Sequence, residues 1–177
     1  GRAALAVKSI TSGVCRCVSF TAVEGLDTHY NAEWHDDQGN FQAEGFNVIA
    51  RMIDDLSSTY VPDGSGDTFF DRTNIIAYSE FSRQPMFNGY NGRDHWLSNA
   101  FLLAGADIQG GQVIGATSDV GMQPMPINPT TGVIEPYTGE SLRPAHIYQA
   151  LLYAAGFDMN LDPADLRVAP LLPLIKT

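Results

Sequence analysis

Apolar and polar residues follow one another along the chain in patterns that predict alternating helices and strands. Apolar positions at helical spacing, with Gly13 and Gly156 as stop signals, predict three helices, at residues 3–12, 41–57 and 143–155. Short apolar runs predict strands at 14–23, 74–78 and 99–104. Strand, helix, loop and strand in succession form the βαβ pattern, which makes parallel neighbours. We therefore expect an α/β fold with a mostly parallel sheet flanked by helices.

Several details refine this expectation. The run at 14–23 is apolar on both faces apart from Arg16, which favours a central strand. The 41–57 helix is expected to pack on the sheet through one apolar stripe, formed by Phe46, Ile49, Ala50, Ile53 and Leu56. The strand at 99–104 is the candidate for an antiparallel addition. Beyond it we expect a turn and short strand at 110–115 and a surface hairpin or excursion at 118–139. We also expect an irregular tail that contains Pro163 and packs through Leu171, Leu172 and Ile175.

The bulk composition limits the classes of function. The chain has 177 residues, which is enough for one domain with a core, and we expect residues 1–177 to form a single domain. Its net charge of -10 opposes binding to a polyanion, so nucleic-acid binding is not expected. No apolar run reaches the length of a membrane span. The chain begins Gly-Arg without a leader, so we expect a processed product or part of a longer protein.

The two cysteines, Cys15 and Cys17, lie two residues apart on a predicted strand. Side chains at this spacing point the same way but are too far apart for good disulfide geometry. We expect two buried, reduced thiols, and a metal or redox role is the alternative. Neither interpretation fixes the cellular compartment.

Candidate metal ligands follow or precede three of the predicted strands. Asp27 and His29 come after the first strand, Glu80 comes after the second, and Asp94 and His95 stand just before the third. If the third strand is antiparallel to the others, all five side chains meet at one edge of the sheet. Carboxylates and imidazoles suit zinc, manganese, magnesium or calcium. The pattern predicts one divalent metal site, although each residue taken alone is also an ordinary loop residue.

Other polar residues near this predicted site have alternative roles. Arg83 and Arg93 flank it in sequence and are candidates to bind a phosphate or sulfate group; balancing the carboxylate charge is the alternative. His35 is expected to be solvated and His146 to be structural. The chain has no Gly-x-Ser-x-Gly elbow and no P-loop lysine, so neither a serine hydrolase nor a P-loop nucleotide site is expected.

The ordered set of motifs resembles a known family. These motifs are Gly-Leu-Asp-Thr-His at 25–29, Ser-Glu-Phe-Ser-Arg at 79–83, Gly-Arg-Asp-His at 92–95 and Gly-Gly-Gln-Val-Ile-Gly at 110–115. In this order, over about residues 3–156, they resemble an uncharacterised family of exported, sulfatase-like bacterial proteins of the alkaline phosphatase superfamily. The resemblance implies an α/β fold, export to the periplasm or beyond, and metal-binding positions at Asp27, His29, Glu80 and His95.

The resemblance also implies what this chain lacks. It looks like the C-terminal half of a sulfatase-like domain, and the superfamily nucleophile lies in the N-terminal half. Our first hypothesis is therefore a metal-dependent hydrolase of small phosphate or sulfate esters, with its nucleophile in the missing half or in a partner chain. Our second hypothesis is a secreted metal-binding or structural protein that keeps the fold without catalysis.

Overall fold

The computed structural model describes residues 1–30, 33–158 and 167–176. In these ranges the chain forms three α-helices, α1 (Arg2–Thr11), α2 (Gln38–Ser58) and α3 (Pro144–Ala154). It also forms four short strands, β1 (Asn74–Tyr78), β2 (Ser82–Arg83), β3 (His95–Trp96) and β4 (Phe101–Gly105). By its internal contacts the chain divides into two compact units. The first comprises Gly1–Thr73 and Ser79–Asn99, and the second comprises Asn74–Tyr78 and Ala100–Thr177.

The predicted parallel sheet is wrong. β1 pairs with β4 in one antiparallel two-stranded sheet, and β2 pairs with β3 in another. The predicted strand at 14–23 is not a strand: Val14 is 79% exposed and Val18 is also exposed. A strand is stabilised by hydrogen bonding and side-chain packing with neighbouring strands. Residues 14–23 pair with no neighbouring strand, so their apolar composition alone does not make them a strand. The sulfatase-like parallel sheet expected from the resemblance is absent from the described residues for the same reason.

The same error affects the cysteines. Cys15 is partly exposed and Cys17 is exposed, and both are free thiols. The prediction that they are buried depended on a central strand to carry them. Without that strand, this part of the chain crosses the surface of the first unit.

The predictions for helices are closer to the structure. α1 ends at Thr11; the Ser12 hydroxyl donates to the Lys8 carbonyl at 2.6 Å, and Gly13 follows with φ +71°. A positive φ at this position favours glycine, so the predicted stop is confirmed. α3 and the strands at 74–78 and 99–104 are confirmed within two residues.

α2 begins three residues earlier than expected, directly after a π-helical turn at Glu33–Asp37. Its buried side carries Gly45, Met52 and Leu56, and α1 packs against this helix within the first unit. Leu56 is fully buried as expected, whereas Phe46 is 59% exposed and Ala50 is exposed as well. The predicted stripe is therefore wrong at these two positions. The buried side of α2 includes Gly45, because the Val23 side chain packs there in the space that a Cβ atom would occupy.

A loop of the first unit is organised by one arginine. The Arg72 guanidinium donates from Nη1 to Asp63 Oδ2 at 2.6 Å, from Nη2 to Asp67 Oδ2 at 2.7 Å and from Nη2 to Ser65 Oγ at 2.9 Å. The hydroxyl and backbone N–H of Ser65, together with Arg72, lower the pKa of Asp63 to about 2. Residues 59–68 thus form a loop that the guanidinium of Arg72 holds together.

The second unit has its own apolar core. The core residues come from three segments and from α3; they are Ile108, Ile127, Ile147, Ala150, Leu171, Leu174 and Ile175. The expected packing of the tail through Leu171 and Ile175 is confirmed, and Pro163 lies outside the described residues. Residues 110–115 form no strand. In the 118–139 segment, Ile127 is fully buried, so this segment belongs partly to the core and is not only a surface hairpin.

None of the helices in the described ranges has the length and apolar character needed to span a membrane.

Replacing Leu56 by Ala should lower the free energy of unfolding by about 2–5 kcal/mol, because the side chain is fully buried in α2. Leu5→Ala is the matched control, since Leu5 in α1 is 68% exposed. Urea unfolding followed by tryptophan fluorescence measures both. Equal effects of the two substitutions would contradict the assigned core of the first unit.

Replacing Arg72 by Gln should raise the native pKa of Asp63 above about 2. The pKa should remain below 3.8, because the Ser65 hydrogen bonds persist. Because the folded pKa is depressed, the contribution of Asp63 to stability is present above pH 3.8 and is lost as the pH falls through about 2. NMR titration of the Asp63 carboxyl carbon measures this pKa. Arg51→Gln, on the exposed side of α2, is the control, and an unchanged Asp63 titration in Arg72→Gln would refute the assignment.

Candidate metal centre

The β2–β3 hairpin brings two of the predicted site residues together. Arg83 on β2 pairs directly with His95 on β3. Directly opposed residues of an antiparallel pair place their side chains on the same face. This explains how residues twelve positions apart in sequence reach the same carboxylate, that of Asp27.

The Asp27 carboxylate is the centre of the cluster. Its Oδ1 atom accepts a hydrogen bond from Arg83 Nη2 at 2.5 Å and lies 2.8 Å from His95 Nε2. The Arg83 and His95 hydrogen bonds hold the pKa of Asp27 below its usual value, so the carboxylate is ionised at neutral pH. An ionised carboxylate only accepts hydrogen bonds, so His95 Nε2 carries the proton in this arrangement.

The two imidazoles lie side by side next to this carboxylate. The His29 and His95 ring centroids are 4.9 Å apart, and His29 Nδ1 lies 3.7 Å from Asp27 Oδ1. Phe81 stacks on the His95 ring, with 3.9 Å between centroids and 28° between the ring planes. One ligand atom from each of Asp27, His29 and His95 lies within 4.8 Å of the others.

These three residues carry the ligand types that bind a divalent metal ion, and His95 Nε2 would become a ligand by releasing the proton that it directs at Asp27. Bonds of about 2.1 Å place neighbouring ligand atoms of a tetrahedral zinc site about 3.4 Å apart. The distances from Asp27 Oδ1 to His95 Nε2 and to His29 Nδ1, 2.8 and 3.7 Å, lie on either side of that value. Within the described chain, the second oxygen of Asp27 makes no hydrogen bond.

Arg83 is largely buried, and both of its Nη atoms are engaged. Its side chain is only 10% exposed, and besides Asp27 it donates to the carbonyl oxygens of Leu26 at 2.9 Å and Arg93 at 3.2 Å. Its Nη1 atom also lies 3.5 Å from His29 Nε2. These contacts match the charge-balancing alternative, because the donors directed at Asp27 and the backbone leave little of the guanidinium for a substrate anion.

Arg93 supports the hairpin loop. Its guanidinium lies over the rings of Trp34 and Phe87, at 4.8 and 4.5 Å from their centroids. It donates to the carbonyl oxygens of Gln84 and Pro85. The loop between β2 and β3 is thus wrapped around the Arg93 guanidinium, which contacts the aromatic rings and the backbone carbonyls.

Two of the five predicted metal ligands lie outside the three-residue group. Asp94 is adjacent to His95, but its carboxylate accepts from Asn88 Nδ2 at 2.8 Å and Gln84 Nε2 at 3.4 Å. Glu80 is exposed and is not a member of the group. The sheet edge that was expected to bring Glu80 to Asp27 does not exist, because residues 14–23 form no strand.

The other two histidines lie elsewhere. His35 is exposed beside Asp36, as expected for a solvated side chain. His146 is fully buried at the start of α3, where its Nδ1 atom accepts from the Arg143 N–H at 3.1 Å. This contact caps the helix, so the predicted structural role of His146 is confirmed.

Sequence reasoning missed the residues that hold His29. Glu33 Oε2 accepts from the His29 N–H at 2.9 Å, and Asn88 Nδ2 donates to the His29 carbonyl at 3.0 Å. Gly92 packs against that same carbonyl: a Cβ atom there would lie 1.9 Å from His29 O. The Asn-Gly-Tyr-Asn-Gly run at 88–92 signals a turn, but nothing in the sequence shows that it folds onto His29.

Replacing Gly92 by Ala should lower the free energy of unfolding by about 1–3 kcal/mol, because the new methyl group overlaps the His29 carbonyl. Gly89→Ala is the matched control from the same loop, since a Cβ at Gly89 meets nothing within 4 Å. Urea unfolding compares the two variants with the parent. A Gly92→Ala protein as stable as Gly89→Ala would show that the loop does not approach His29 this closely.

Comparison with known proteins identifies a family. Residues 3–130, about seven-tenths of the chain, match the model of the family described as "Protein of unknown function (DUF1501)". No curated protein and no solved structure matches the chain. The matched range contains Asp27, His29, Arg83 and His95, so the whole three-residue group lies within the family region. The expectation of an uncharacterised family is confirmed, and the chain belongs to the family of proteins of unknown function DUF1501.

Proposed function

We propose that this protein binds a divalent metal ion through Asp27, His29 and His95 and that it is part of a hydrolase for phosphate or sulfate esters. The observation that carries the proposal is the convergence of three ligand atoms within 4.8 Å. Two imidazoles with one carboxylate favour zinc or manganese over the harder ions calcium and magnesium. Three protein ligands also leave a coordination position for water or substrate, as in catalytic sites.

The chain's own residues have defined roles in this proposal. Asp27, His29 and His95 hold the ion, Phe81 keeps the His95 ring in its orientation, and Arg83 offsets the charge of Asp27. The bound ion would polarise an oxygen of the ester. Asp27 and His95 are exposed, so a small anionic ester can reach the centre from solvent. The attacking nucleophile is expected from a preceding half of the protein or from a partner chain.

The motif resemblance supports the choice of ester. The sequence around the three ligands resembles exported, sulfatase-like proteins of the alkaline phosphatase superfamily. On this basis we infer an export destination, periplasmic or secreted, together with the phosphate or sulfate ester substrate.

One observation favours a second function, a metal-binding or structural role without catalysis. The Arg83–Asp27–His95 contacts already join the 26–30 loop to the hairpin through protein groups alone. A cluster that is satisfied in this way can persist for its contribution to the fold or to partner binding.

Replacing His95 by Gln should weaken Zn²⁺ binding by at least about 10- to 100-fold. Loss of a residue that only orients a metal ligand already lowers metal affinity by that factor, and His95 is proposed as a ligand itself. Replacing His35 by Gln, the same change at an exposed histidine outside the group, should leave binding unchanged. Competition with a chromophoric chelator measures both affinities. Turnover of aryl phosphate and aryl sulfate by the full-length protein, before and after chelation and metal return, tests catalysis.

The outcomes separate the two functions. Metal binding that depends on His95, with turnover that needs the metal, supports the hydrolase. Metal binding without turnover of either ester favours the non-catalytic function. A protein that binds no divalent ion would rule out the hydrolase and the metal-binding form of the second function, and would leave only the structural form.

A further inference from the structure

The side chain of Asn88, in the loop between β2 and β3, uses its full hydrogen-bonding capacity. Nδ2 donates to His29 O at 3.0 Å and to Asp94 Oδ1 at 2.8 Å. Oδ1 accepts from the N–H groups of Tyr90 at 2.9 Å and Gly92 at 3.0 Å. An asparagine amide offers two donors and two acceptor positions, so all four are occupied.

The orientation of this amide is fixed by its partners. The Asp94 Oδ1 atom and the His29 carbonyl accept hydrogen bonds here, whereas the Tyr90 and Gly92 N–H groups only donate. Exchanging the amide nitrogen and oxygen would therefore place like groups against each other at all four contacts. Asp94, predicted from sequence as a metal ligand, instead directs the Asn88 NH₂ group towards the loop that carries His29.

His29 is held at both of its backbone polar groups. Its carbonyl accepts from Asn88, and its N–H donates to Glu33 Oε2 at 2.9 Å. Gly92 closes against the same carbonyl, which leaves that peptide little freedom to rotate. The direction of a side chain follows the backbone that carries it, so these contacts set where the His29 imidazole stands relative to Asp27.

We propose that Asn88 is a positioning residue for His29 in the metal centre, acting through the His29 carbonyl and not through contact with the ion. The inference rests on the proposed metal-binding function. Residues that orient a metal-binding histidine typically change affinity by about 10- to 100-fold. Asn88 differs from most such residues because it acts on the backbone of the ligand residue, not on its ring.

Asn88→Asp is the informative substitution. It keeps the size of the side chain and the oxygen that accepts from Tyr90 and Gly92, but it removes both donors. Asn88→Ser is a second variant that adds no charge and whose shorter hydroxyl cannot span the same contacts. Asn47→Asp, on the exposed side of α2, is the control for an added carboxylate. Urea unfolding of every variant identifies those that remain folded.

Zn²⁺ affinity, measured by chelator competition, tests the role through a double-mutant cycle with His29→Ala. Both Asn88 variants should bind Zn²⁺ about 10- to 100-fold more weakly than the parent, with Asn47→Asp unchanged. In the His29→Ala background, the Asn88 substitutions should change affinity by less than about twofold, because the residue they position is gone. An equal loss in both backgrounds, or no loss in the parent background, would overturn the proposal.

A readout without metal distinguishes failure of this inference from failure of the proposed function. If the parent binds no Zn²⁺, the metal-binding function fails. The ring ¹⁵N and ¹H signals of His29 in the metal-free protein then decide the positioning role. Signals that move in both Asn88 variants, and stay in place in Asn47→Asp, support positioning; signals that match the parent in the Asn88 variants refute it.

Discussion

The shared oxygen of Asp27 is the contact on which the rest of the candidate site depends. Arg83 and His95 both direct N–H groups at Oδ1, so one carboxylate joins the 26–30 loop to both strands of the β2–β3 hairpin. Arg83 is largely buried, and an unpaired guanidinium in that position would be costly. The pairing therefore places the Asp27 carboxylate next to His95 through protein contacts alone, and His29 lies beside both.

Around this contact the site is held mainly by backbone groups of loops. The Leu26 and Arg93 carbonyls accept from Arg83, and the His29 carbonyl accepts from Asn88. Loops carry functional side chains when a rigid scaffold fixes them, and here the buried arginine and the asparagine provide that scaffold in place of a large sheet. The arrangement explains how an exposed centre is held together with only a two-residue strand on each side.

The structure agrees with expectation at some residues of the site and departs from it at others. Asp27, His29 and His95 are candidates by residue type and motif order, and the structure brings them together. The predicted reason for their meeting, a parallel sheet edge, is wrong, and Glu80, which was predicted from that edge and from the motif resemblance, lies outside the group. Asn88 and Gly92 were missed because a turn sequence gives no information about which distant backbone it will contact.

The sequence by itself determined what depends on local interactions. The helical spacing and stop signals of α1 and α3, the short apolar runs of β1 and β4, and the family motifs could all be read from neighbouring residues. Only the tertiary structure decided strand pairing, the exposure of Val14 and Val18, and the contacts of Asp27 with Arg83 and His95. These features join residues that lie up to 68 positions apart, where closure of the chain and competition between alternative partners, rather than local preference, set the outcome.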